Sequence, residues 1–163
     1  LRLVGSEMCI IDSIHPARKR EVGERLAFLA LANDYGVTGL PAPAPVYKSM
    51  ERDGNKLVLT FDNLPVRAQN GVDSFVAFGP EGYCRPGGFE IAGEDRVFHP
   101  AVANFKYWDN RIEVSSDRVP DPVAVRYAFR NYCPEANVMT TMGQPLVPFR
   151  TDDWPLDDIG RIR

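Results

Sequence analysis

Asp12-Ser13-Ile14-His15 sets a carboxylate three residues before an imidazole, directly ahead of a helical pattern. If this segment turns, the two side chains can meet. An Asp bonded to one ring nitrogen fixes the tautomer and stabilises the imidazolium, leaving the other nitrogen free to take a proton from a hydroxyl. Two parts of a hydrolase triad, Asp12 and His15, are thus in place. The spacing alone is common, and a lone histidine is more often structural than catalytic. His99, the other histidine, precedes Pro100 in a strand-like run and reads as a packed or surface β residue. The third part, the nucleophile, is missing: neither a Gly-Asp-Ser block nor a Gly-x-Ser-x-Gly elbow occurs. Ser6 follows Gly5 but precedes Glu7, with nothing beside it to form an oxyanion hole, and Ser13 reads as a brace for the turn.

Other chemistries find less support. Cys9, Cys84 and Cys133 are too few and too scattered for a zinc site or a disulfide framework, although Cys84 and Cys133 could pair across a β domain if the protein is exported. No metal or organic cofactor is expected. A net charge of −3 gives no general basic field for nucleic acid, and the one dense patch, Arg18-Lys19-Arg20, reads as a solvated helix face. Gly87-Gly88 and Gly93 do not form a phosphate-binding loop and read as turns. No run approaches the ~20 apolar residues that span a bilayer. The chain starts at Leu1 rather than Met, so a leader segment is read neither way. Tyr107, Trp108, Tyr132, Phe149 and Trp154 could stack on a sugar face, but aromatics in β domains more often pack.

The elements that would carry these residues are legible in outline. Pro16 suits a first helical position, the run to Tyr35 has no further proline, and Val22, Leu26, Leu29 and Ala30 share one stripe, which predicts an amphipathic helix ended by Gly36. Gly39 to Pro45 is proline-rich and cannot continue it. Thereafter the period switches to alternation. Lys56 to Phe61 follows the turn Asp53-Gly54-Asn55, and further strands are expected at 74–78, 88–92, 97–105, 111–115 and 123–129. Short strands at this spacing without helices predict a mainly β domain, an antiparallel sandwich or jelly roll. Residues 130–154 read as ordered loop, with Pro148 to Trp154 anchored to the rest.

Ser13 to Ala27, with its Ile-His-Pro and Val-Gly-Glu-Arg-Leu, is similar to a block of the sialate O-acetylesterases, which are SGNH-type carbohydrate esterases. The similarity continues in order through Pro45 to Met50, Gly87 to Gly93, Pro122 to Ala128 and Pro148 to Trp154. It implies a triad in which His15 is the general base and Asp12 its orienting partner. The serine would lie on an N-terminal part of the same esterase, absent here, so this chain alone should be inactive. Residues 1–38 would end the α/β esterase domain, 39–45 would link, 46–154 would form the β-sandwich and 155–163 a tail. An O-acetylated sialic acid or related sugar is the implied substrate, with Arg18, Lys19 and Arg20 as an alternative contact for its carboxylate. Secretion or a periplasmic location is implied as well. A noncatalytic glycan-binding or structural β-sandwich explains the bulk of the chain equally well.

Overall fold

The computed structural model describes residues 19–41, 43–64, 75–79, 81–106, 110–130 and 133–155. Its one described helix, α1 (Lys19–Asn33), precedes eleven described strands. These are β1 (Val46–Asp53), β2 (Lys56–Asp62), β3 (Phe75–Gly79), β4 (Gly82–Tyr83), β5 (Phe89–Ala92) and β6 (His99–Pro100), then β7 (Val102–Lys106), β8 (Arg111–Ser115), β9 (Ala124–Tyr127), β10 (Val138–Thr140) and β11 (Phe149–Arg150). All strand pairings are antiparallel. The expected mainly β architecture is what the chain forms.

Two four-stranded sheets, ordered β1-β2-β8-β7 and β11-β9-β5-β6, carry most of it, and β10-β3-β4 forms a smaller third sheet. The first sheet starts from the anticipated hairpin: Asp53 pairs with Lys56 across Gly54-Asn55, and Gly54 takes the positive φ of 61° that a tight loop demands. On β8, Ile112 and Val114 point inward while Arg111, Glu113 and Ser115 stay partly exposed, the alternation of a half-buried strand. Leu57, Leu59, Ile112 and Val114 of the first sheet share one core with Ile91, Val125 and Tyr127 of the second and with Phe75 and Val138 of the third. Each such Leu, Ile or Val stabilises the fold by about 1.5–3 kcal/mol through burial.

Three expectations need correction. The stretch 97–105 is two strands: β6 pairs with β5 and β7 with β8, so the chain changes sheets at Ala101. Pro100 has no N–H to donate and is tolerated because β6 is an edge strand. The stretch 130–154, read as loop, contains β10 and β11. Cys84 and Cys133 do not pair and are both free thiols. Their sulfurs accept from different groups, Asn137 Nδ2 at 3.1 Å and an Arg130 guanidinium nitrogen at 3.6 Å respectively.

Candidate active site

His15, Asp12, Ser6, Ser13 and Arg18 lie outside the described residues, as do Tyr107, Trp108 and Tyr132. Lys19, the first residue of α1, stands four positions after His15. Lys19 and Arg20 are exposed, and Arg20 is paired with Glu24 at 2.8 Å, one turn on. The solvated reading of the basic cluster holds for these two.

Helix α1 buries none of its residues, and Leu26 and Leu31 are 40% and 38% exposed. A 15-residue helix is marginal in water unless an apolar face is covered. Its C-terminal end is built as the glycine predicts: Gly36 has φ 67°, and Val37 N–H reaches back to Leu31 O at 3.0 Å. What ties α1 to the β domain is polar. Arg25 donates to Gly143 O at 3.2 Å, and the Gln144 side-chain amide donates to Pro41 O. The proline-rich stretch continues along the domain, with Val147 N–H on Pro45 O at 3.2 Å and Asn63 Nδ2 on Ala44 O at 3.3 Å.

On the second sheet, Arg126 makes a bidentate pair with Asp152 at 2.8 and 2.7 Å, and the Asp152 side chain is wholly buried. The Arg126 guanidinium also lies 3.9 Å from the Phe98 ring centroid. Burial pushes the Asp152 carboxyl up, but its bond to Arg126 and the charges of Arg126 and Arg150 outweigh this and hold it below the usual carboxylate range. Trp154 packs against Phe98 at 5.7 Å under Arg96, and Phe149 is stacked on Tyr47 at 5.0 Å inside the core. Both aromatics are packing residues, and the segment from Phe149 onward is anchored as expected.

A surface groove of about 410 Å³ lies beside the third sheet, lined by Phe75, Ala77, Tyr83, Cys84, Arg85 and Asn104 among others. Tyr83, 78% exposed, packs tilted against Phe78 at 4.5 Å across the β3–β4 hairpin. His99 pairs with Ile91 at the edge of the second sheet, as a β residue should. Three described hydroxyls are engaged with backbone: Ser116 Oγ donates to Pro100 O, while Thr140 and Thr151 Oγ1 accept from Gln144 and Val125 N–H. Among the described residues no group of three His, Cys, Asp or Glu could hold a metal, and no helix is long and apolar enough to cross a membrane.

Sequence reasoning missed Arg25, Gln144, Tyr83 and the Arg126–Asp152 pair. Arg25, Arg126 and Asp152 lie in the segments similar to the esterase family, which marked the segments but not these side chains, and Tyr83 carried a local signal as an aromatic between Gly82 and Cys84 in a turn-rich stretch. No family model and no curated protein matches the chain. In sequence and structure it is similar to a carbohydrate acetylesterase from Xanthomonas citri, at 40% identity and a TM-score of 0.73 over 87% of this chain, which spans 30% of that protein's length.

Proposed function

We propose that this chain is the C-terminal part of a serine carbohydrate esterase that removes O-acetyl groups from sialic acid or a related sugar. The observation that carries the reading is the 40% identity to a carbohydrate acetylesterase over 87% of the chain. A helix that buries no residue of its own supports it too, because such a helix suits the edge of a larger α/β domain. In the proposed reaction a serine on the N-terminal part attacks the acetyl carbonyl and passes its proton to His15. The tetrahedral intermediate expels the sugar oxygen, which takes that proton, and leaves an acyl-serine. Water, deprotonated by His15, then releases acetate and restores the serine. Asp12 holds the imidazole in the right tautomer throughout. The similarity of its segments to the sialate O-acetylesterases supports a place for the enzyme in the periplasm or outside the cell.

The test is turnover of an aryl acetate by the intact esterase, or by this chain mixed with the part bearing the nucleophile. His15→Ala is expected to lower kcat by about a thousandfold or more. Unchanged turnover sinks the reading.

A second reading, a glycan-binding β-sandwich, is favoured by the groove beside Tyr83, where an exposed ring stands with the Asn104 amide and the Arg85 guanidinium. Rings of this kind offer a flat apolar face to a pyranose, with polar groups for its hydroxyls. It predicts that the chain binds an acetylated sialoglycan and that Tyr83→Ala weakens binding about tenfold or more. Silence of the unmodified chain across a glycan panel counts against it.

A further inference from the structure

We infer that the turn Thr140–Gln144 is a clamp that fixes α1 against the β domain, and that Gln144 and Arg25 are positioning residues of the proposed esterase. The role in catalysis rests on the esterase reading above; the clamp itself rests on geometry alone.

The turn is rigid before it holds anything. Thr140 N–H donates to Gln144 O at 2.7 Å, Gly143 N–H to Thr140 O at 2.9 Å, and Gln144 N–H to Thr140 Oγ1 at 3.1 Å. Gly143 supplies the positive φ of 80° that closes it. On one side Thr140 belongs to β10, paired with Phe75, and on the other Leu146 N–H returns to Val138 O at 3.0 Å. The loop is therefore seated on the core rather than hung from it.

From this base two adjacent residues reach two different parts of the N-terminal segment. Gly143 O takes the Arg25 guanidinium, from the middle of α1, and the Gln144 amide donates to Pro41 O, in the connector after it. Gln144 is 5% exposed, so its amide has little access to water as a substitute acceptor. A buried amide directed at a proline-rich strap makes an expensive contact to lose. Pro45, wholly buried, and its carbonyl bond to Val147 N–H continue the seam. The connector between helix and sandwich is thus a strap bonded to the β domain at Pro41, Ala44 and Pro45, not a free linker.

A helix held at its middle by Arg25, with its connector tied to the same turn at Pro41, eight residues past its end, has its swing restrained. Over 15 residues, about 22 Å, loss of the Arg25 anchor lets α1 pivot at its C-terminal end, where a tilt of about 5° shifts the first turn by about 2 Å. Lys19 starts that turn four positions after His15. Misplacement of a reacting group by about 1 Å can cost about a hundredfold in rate. The β domain, on this inference, sets the aim of the general base without touching substrate.

The experiment has two arms. In the 163-residue chain, amide hydrogen exchange is followed for unmodified protein, Gln144→Leu, which keeps volume but loses the donor, and Arg25→Met, a helix-surface change that leaves the core intact. Faster exchange in α1 and residues 39–45, with β2 and β8 unchanged, is expected of both variants; unaltered α1 exchange overturns the clamp. In the intact esterase both variants are expected to lower kcat about ten- to a hundredfold with KM within about twofold, and Arg25→Lys to restore most of it. Normal kcat in both overturns the positioning role while leaving the esterase reading standing. No turnover in the unmodified enzyme overturns the esterase reading and the positioning role together, and exchange alone then judges the clamp.

Discussion

Among the described residues Tyr127 is the largest side chain with no exposure, and its hydroxyl does what a strand partner would do. It accepts the Val138 N–H at 3.1 Å, so the first amide of β10 is satisfied by a side chain from the second sheet. Burial pushes its ionisation far above the ordinary phenol range, so the hydroxyl stays neutral and serves as a fixed dipole. Tyr127→Phe keeps the ring contacts to Phe89 at 4.7 Å but leaves a buried donor unpaired, which costs about 1–3 kcal/mol. Urea unfolding should show a lower midpoint with an unchanged slope. An unmoved midpoint would mean that the Val138 amide finds another acceptor. Tightness at this scale also explains Gly88, whose φ is 85° and whose Cβ, if present, would sit 2.9 Å from Ala136 Cα. The glycine read as a simple turn is a close approach of two backbone segments.

At the scale of elements, legibility followed length and periodicity. Strands β2 and β8 were readable because each runs five residues or more, long enough for a period of two to register, although Val58 of β2 is buried on the face opposite Leu57 and Leu59. Strands β4, β10 and β11 span two or three residues each, below any such window, and they exist because tertiary neighbours supply their pairing. The split at Ala101 was hidden because β6 and β7 pair with different sheets, which no local pattern encodes. Helix α1 was foreseen from its stripe and its glycine stop, yet in this chain Val22, Leu29 and Ala30 are only half-buried and Leu26 is exposed. An apolar face declares that it must be covered, not by what. For the site, His15 and Asp12 were found from residue type, spacing and family resemblance, and they stand as a proposal. The residues of the clamp were invisible, since Arg25 meets Gly143 across 118 positions and Gln144 meets Pro41 across 103.

For the whole molecule, closure of the sandwich depends on how the segment after β11 is tied back. Thr151 exchanges two bonds with Val125, one from its N–H and one to its hydroxyl, and Asp152 then pairs with Arg126 beneath Phe98. A second depressed carboxylate, Glu113 on β8, is held down first by its bond to Lys106 at 2.7 Å and then by Lys56. Both folded-state values lie below those of the unfolded chain. Each carboxylate therefore binds fewer protons when folded, and its contribution is present above the ordinary carboxylate range and lost as pH falls through the depressed values. Stability should be nearly level from neutrality to about pH 5 in respect of these two groups, and decline below about pH 4. Asp152→Asn removes the charge but not the shape, leaving the Arg126 guanidinium, 13% exposed, without its anion. That should cost about 3 kcal/mol near neutrality and flatten the acid limb, because the variant has one fewer depressed carboxyl to protonate. Urea midpoints at pH 7 and pH 3.5 measure both effects. If the gap between variant and parent stays the same at the two pH values, the acid sensitivity comes from carboxylates other than Asp152.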